Sequence, residues 1–368
     1  MTKTKETTLE IDLSALKDNF NYLKSKIHPS TKFLGVVKAF AYGSDSVTIG
    51  KKLEILGIDY LAVAYASEGV VLRDAGIKAP ILVLHPLATS FETIIERCLE
   101  PSIYSFNTLK NFIKTAEEKN QTDYPIHLKF NTGLNRLGFD SNNSEKICEI
   151  LSETNSVKVK SVFSHLAASE DLNEKAFTKK QIHDYLNVVN YFENNLDYPF
   201  IKHLCNTSGI LNYPEAHFDM VRSGIGLYGY GNSKKENKYL KPIASLKSII
   251  SQIHHLSIGE SLGYNRAFIA DKPIKAATIP IGHADGIGRQ YGNRKGYVTI
   301  NNKPAYIIGN VCMDMIMVDV TQIECSEGDE VILFDKNHTA EDFAESANTI
   351  SYEIITAISQ RVNRIIID

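Results

Sequence analysis

The chain has 368 residues, 43% of them hydrophobic and 23% charged, with a formal net charge of −3 at pH 7. That length buries a substantial core and suits about two domains, or one α/β barrel with an addition. The near-neutral balance disfavours nucleic acid or an anionic membrane as the main partner; the longest apolar runs, 60–64 and 81–84, are strand-sized, and the polar start 1–10 lacks the apolar core of a secretory signal.

A small-molecule ligand and a cytoplasmic location are therefore expected. Cys98, Cys148, Cys205, Cys312 and Cys325 are odd in number and widely spaced, with no C-x-x-C pair, which speaks against both disulfides and a zinc site. His254 and His255 are adjacent and would point to opposite faces of a strand, so no metal is expected there either.

The first amphipathic segment carries Leu16, Phe20, Leu23 and Ile27 on one helical face, with Ser14 as the expected N-cap. Eight short apolar runs follow, each separated by a helix-period segment: 33–38, 60–64, 80–84, 102–105, 126–130, 157–164, 201–205 and 217–221. Eight such alternations predict an α/β fold, a closed (β/α)8 TIM-type barrel. No G-x-G-x-x-G follows the first strand, which weakens a dinucleotide reading.

The polar stretch 231–242, GNSKKENKYLKP, reads as a linker. Beyond it, strands are expected at 243–258, 274–280, 297–300, 305–309, 315–320 and 330–334. A helix around Tyr352, marked by Ile350, Ile354, Ile355 and Ile358, and a final strand at 364–367 complete the pattern. The expected domains are a barrel over 1–238 and a mostly β C-terminal domain over 239–368, the latter joined by a first strand near 7–12.

Barrels place their chemistry at the carboxyl ends of their strands. There the sequence puts Lys38 at the end of the first strand, Arg136 after a short loop beyond the fifth, His165 at the end of the sixth, Asn206 and Thr207 at the end of the seventh, and Arg222 at the end of the eighth. Together they suit an anionic ligand with several hydrogen-bonding groups. Lys38 follows an apolar strand, where desolvation would free its amine for a Schiff base; a lysine snorkelling at the strand end is the plainer alternative. Arg222 precedes a glycine-rich turn whose Gly224 and Ile225 amides suit a phosphate, although the turn also serves simply to close a barrel. His165, Tyr264, Met313 and Asp314, taken singly, fit ordinary structural roles as well.

Taken in order, VVKAFAYG, LKFNTGLNRLGF, SHLAASED, HLCNTSGI, DMVRSGIGLYG, LGYNR, IPIGHADG, GNVCMDMIMVDV and ISYEII resemble the alanine racemases, fold-type III enzymes that use pyridoxal phosphate. The resemblance covers nearly the whole chain. It implies L-alanine/D-alanine interconversion through an external aldimine, supplying D-alanine for peptidoglycan, by a homodimer with shared active sites. Lys38 would hold the cofactor as an internal aldimine and act on the D-alanine hydrogen. Tyr264, reaching in from the other subunit with Met313, would act on the L-alanine hydrogen.

The resemblance assigns Tyr42, Thr207, Gly224, Ile225 and Tyr352 to the cofactor's phosphate, and Arg222 to its ring nitrogen. His165 would link Tyr264 to Arg222, Asn206 would support the cofactor, and Arg136 would meet the substrate carboxylate. Lys129, carbamylated in some members, would orient Arg136, while Asp314 and His283 support the site. The chain departs from the family at Phe40, Ser44-Asp45, Asn131 and His283, where Asn, His-Gly, Asp and Tyr are usual. The first two departures imply altered packing around an intact Lys38; His283 bears on substrate access. A racemase for serine or a broader set, an amino-acid decarboxylase, a noncatalytic cofactor carrier and a cofactor-independent Schiff-base lyase are the competing readings.

Overall fold

A computed structural model describes residues 6–368. The chain divides into two compact units: one comprises Lys17–Ala41 and Ser46–Leu240, the other the residues up to Leu16, Tyr42–Asp45 and Lys241–Asp368.

After β1 (Thr8–Asp12), the first unit carries β2 (Lys32–Val36), β3 (Tyr60–Val63), β4 (Ile81–Val83), β5 (Glu100–Ile103), β6 (Tyr124–Lys129), β7 (Val157–Phe163), β8 (Ile201–His203) and β9 (Met220–Ser223). All eight run parallel, and pairing of β2 with β9 (Phe33↔Val221) closes the barrel. Strands covered on both faces read as continuous apolar runs, as β3 and β4 do with every residue buried. Between them run helices such as Lys175–Asn195, from which the Tyr185 hydroxyl donates to Val162 O at 2.8 Å.

The barrel matches the expected fold, with strand ends displaced. The eighth strand is Met220–Ser223 and not 217–221, so Arg222 lies within the strand and not beyond it. The fourth begins at Glu100, ahead of the expected 102. Ser14 is exposed and does not cap the first helix, Leu13–Lys24; Asp12 does, its Oδ1 accepting from Ala15 N at 2.8 Å. A carboxylate one residue before the helix meets both the free N–H groups and the positive end of the helix dipole.

The second unit holds two larger sheets. The six-stranded one orders β16 (Lys303–Tyr306), β15 (Tyr297–Ile300), β18 (Glu330–Phe334), β10 (Ala244–Ile249), β1 and β19 (Asn363–Ile367). The three-stranded one comprises β11 (Gln252–Leu256), β14 (Ile274–Ile279) and β17 (Ile316–Asp319), and a small hairpin pairs β12 (Ser261–Leu262) with β13 (Phe268–Ile269). The expected single strand over 243–258 is two strands in different sheets. Ile250 N bonds Asp329 O on one side of the corner and Ser251 N bonds Thr278 O on the other. The expected strand at 305–309 starts earlier, at Lys303, after a turn in which Asn301 and Asn302 both have positive φ.

Candidate active site

Lys38 stands two residues beyond β2, and the chain there does something unusual. Ala39, Phe40, Ala41 and Tyr42 all have φ between 51° and 55°, a complete left-handed turn without glycine. Such backbone costs about 1–2 kcal/mol per residue, so its surroundings must hold it. Glu68 does so at its start: Oε1 accepts from Ala39 N (2.7 Å) and Oε2 from Ala64 N (2.7 Å) and Tyr65 N (3.3 Å). Burial, followed by the charge of Arg136, holds the Lys38 amine below its ordinary value, while Glu68 opposes that shift.

Arg222 is 4% exposed and, among the described residues, forms no ion pair. Its donors meet neutral acceptors instead: Nη1 donates to His203 Nδ1 (2.6 Å), and Nη2 to Ser164 O (2.8 Å), Leu204 O (3.0 Å) and His165 Nδ1 (3.2 Å). Burial pulls the guanidinium down to about 10, which still leaves it a cation at neutral pH. Burial and Arg222 push His165 and His203 well below 6.5, so both imidazoles are neutral. Since His165 accepts through Nδ1, its proton sits on Nε2, available to a further acceptor.

Lys129 ends β6, is 7% exposed, and falls to about 8 through burial and the charges of Arg136, Arg222 and Lys38. Arg136 is exposed, in a loop ordered by Asn131, whose Oδ1 accepts from Gly133 N (3.1 Å) and Asn135 N (2.9 Å). A neutral amide suffices for that turn, which accounts for Asn at this position.

Asn206 caps the helix Thr207–Asn212, its Oδ1 accepting from Gly209 N (2.9 Å) and Ser169 Oγ (2.7 Å). Thr207 Oγ1 lies 3.0 Å from Ser223 Oγ and accepts from Gly226 N at 3.4 Å. Among the described residues, the N–H groups of Gly224 and Ile225 have no acceptor. A Cβ on Gly226 would stand 2.6 Å from Thr207 Cγ2, so only glycine leaves this cradle open. Unsatisfied amides, a hydroxyl and a cationic rim together fit a phosphate monoester, and the carboxylate-free Arg222 fits an unprotonated ring nitrogen as acceptor.

The other unit holds Tyr42, Tyr352, Tyr264, His283, Met313 and Asp314. The Tyr42 and Tyr352 rings are 6.1 Å apart, and burial pushes the Tyr42 phenol well above 10. Tyr264 is 74% exposed on a short 3-10 turn braced by Asn310 Nδ2, which donates to its carbonyl at 3.3 Å. His283 is exposed; its N–H bonds Cys312 O and that of Ala284 bonds Met313 O, both at 3.0 Å. Arg361 ties the same loops together, donating through Nε to Asp285 and through Nη2 to Asp314.

Glu68, His203, Asp285 and Arg361 escaped the sequence reading. Only His203 carried a signal, as the histidine that opens HLCNTSGI at the end of the seventh barrel strand. Among the described residues there is no metal-binding group of His, Cys, Asp and Glu, and no helix is long and apolar enough to cross a membrane.

Residues 11–232 match the family model for the alanine racemase N-terminal domain and residues 243–366 that for the C-terminal domain. Alanine racemase 2 of Caldanaerobacter subterraneus subsp. tengcongensis is 36% identical, covering 98% of this chain and 95% of its own. Among solved structures, alanine racemase of Clostridium difficile 630 superimposes with a TM-score of 0.92 at 33% identity, over 99% of this chain and 96% of its own. That of Bartonella henselae, with covalently bound pyridoxal phosphate, gives 0.88 at 28% identity over 98% and 99%.

Proposed function

Because the chain belongs to the alanine racemase family, we propose that it interconverts L-alanine and D-alanine with pyridoxal 5'-phosphate, in the cytoplasm, supplying D-alanine for peptidoglycan. The observation that carries this reading is the set of groups at the barrel's carboxyl end: a lysine amine that burial and Arg136 hold below its ordinary pKa, a buried arginine without a carboxylate partner, and two backbone amides without an acceptor.

Bound there, pyridoxal phosphate supplies an electron-withdrawing ring that acidifies the Cα hydrogen of an attached amino acid. Lys38 would hold the cofactor through its amine. Tyr42, Thr207, Gly224, Ile225 and Tyr352 would receive the phosphate, with Asn206 fixing the helix that presents Thr207. Arg222, a cation that keeps its proton, would donate to the ring nitrogen and so temper the electron withdrawal that the ring supplies. Arg136 would engage the substrate carboxylate with its planar fork, backed by Lys129.

Inverting a stereocentre needs one proton taken from one face and one given at the other. Lys38 would serve the D-alanine side. Tyr264 of the partner subunit would serve the L-alanine side, with His165 donating its Nε2 proton to the phenolic oxygen and linking it to Arg222. Met313 would line the same approach from the partner, placed by Asp314 and the His283 loop. A homodimer is thereby part of the active site, and the strong exposure of Tyr264 and Met313 supports this.

The test is incubation with L-alanine and pyridoxal phosphate in heavy water, following Cα-proton loss by NMR and chirality by derivatisation. Exchange with loss of chirality is expected. Binding of the cofactor without exchange on alanine would overturn the substrate and send the search to serine and larger amino acids.

A further inference from the structure

The mechanism uses Arg222 from above; its support comes from below, through the barrel interior. Glu100, the first residue of β5, places Oε2 2.7 Å from His127 Nε2. His127 Nδ1 lies 2.6 Å from Ser161 Oγ, Ser161 Oγ 2.9 Å from His203 Nε2, and His203 Nδ1 2.6 Å from Arg222 Nη1. His127, Ser161 and His203 are each 0% exposed. Strand register builds the file: Ser102 pairs with His127, His127 with Ser161 across a bulge at Ile126/His127, and Phe163 with His203. The Phe163 ring stacks on His203 at 4.7 Å and keeps that imidazole in place.

Elementary bookkeeping of donors gives one self-consistent direction for every link, with the serine hydroxyl both accepting and donating. An arginine only donates, so His203 Nδ1 accepts and its proton is on Nε2. That proton goes to Ser161 Oγ, so the serine hydroxyl hydrogen goes to His127 Nδ1. The His127 proton is then on Nε2 and goes to Glu100. Each link has one donor and one acceptor, and the file terminates on a carboxylate that remains 14% exposed.

We propose that Glu100 is the counter-charge of Arg222, acting across the barrel through the ordered His127–Ser161–His203 file as a positioning residue for the guanidinium. A buried cation needs compensation, and none of Arg222's direct partners is an anion. Hydrogen bonds in series in a low-dielectric interior polarise one another, so a carboxylate at one end strengthens the acceptor at the other. The charge of Glu100 is felt by Tyr60, whose phenol it helps push up, and by Arg73, whose cation it favours. Only the assignment of Arg222 to the cofactor ring rests on the proposed function; the file itself does not.

The experiment uses the full chain labelled with 15N-histidine, with and without pyridoxal phosphate, as wild type, Glu100→Gln and Ser161→Ala. Wild type is expected to show His127 and His203 as Nε2–H tautomers, with the His127 proton far downfield. Glu100→Gln keeps an accepting oxygen but loses the charge; the His127 proton should move upfield, the His203 resonances should shift, and the absorbance maximum of bound cofactor should move. Ser161→Ala should produce the same changes at His203 and the cofactor while sparing the His127–Glu100 resonance. In both variants kcat for racemisation should fall about tenfold with KM unchanged.

An Nδ1–H tautomer of His203 in wild type would overturn the proposal, as would His203 and cofactor signals that stay put in both variants. If Glu100→Gln fails to fold by circular dichroism, Ser161→Ala decides. A wild type that does not racemise alanine would defeat the proposed function while leaving the histidine spectra to decide the file.

Discussion

Folding buries Lys129, stripping water from its ammonium, and sets it among the like charges of Arg136, Arg222 and Lys38. Its ordinary value is 10.5 and its folded value about 8. Between those limits the unfolded chain binds more protons, so stability rises with pH across that window, and below 8 the full penalty applies. Lys129→Met keeps the apolar stem near Phe163 and removes the charge; it should raise Tm by a few degrees at pH 7 in bicarbonate-free buffer. The gain should fade as pH approaches 10.5, which paired melts at the two pH values would check. Lys38 carries the opposite kind of test. Lys38→Ala should abolish both the visible absorbance of bound cofactor and racemisation, and retention of the absorbance would remove Lys38 from the cofactor's attachment.

The left-handed turn after β2 makes its own predictions. Glycine adopts that backbone without a steric penalty, so Ala39→Gly should be neutral or stabilising in urea unfolding, against the usual loss of about 0.5–1 kcal/mol in regular structure. Ala39→Val, β-branched at φ 52°, should cost about 1–2 kcal/mol. Gly43 closes the turn at φ 80°, where a Cβ would stand 2.0 Å from Ile355 O, so Gly43→Ala should cost at least about 2 kcal/mol. Nothing in Ala-Phe-Ala-Tyr announces such a turn, because the residues that normally mark positive φ are absent. The barrel was legible because apolar runs and helix-period segments alternate eight times. Its strand ends slipped where Arg222 looked like a terminator and is a buried strand residue. The corner at Ile250–Ser251 was invisible for a related reason: the strand-like pattern of isoleucines resumes at Ile253 with no glycine or proline to mark the turn. The rim residues could be read because they lie at or just past the carboxyl ends of strands. The file beneath them could not, since Glu100, His127, Ser161 and His203 come from four strands that only the register brings together.

At the scale of the whole molecule, a site shared between subunits has a quantitative signature. Lys38→Ala and Tyr264→Ala should each be inactive alone. Refolded together in equal amounts, half the dimers are mixed, and each mixed dimer has one site with both wild-type residues, so about one quarter of wild-type activity should return. No recovery in a mixture shown to contain mixed dimers would place both bases in one chain. The six-stranded sheet carries a different consequence, one of timing during translation. β1 is made first, yet its partners are β10 and β19, paired as Leu9↔Leu246 and Leu9↔Arg364. Every barrel strand, β2 through β9, has been synthesised by Ser223. The ribosome therefore delivers a barrel that can close while β1 still waits with both edges unpaired, and a nascent-chain chaperone has most to protect at the strand that emerged earliest.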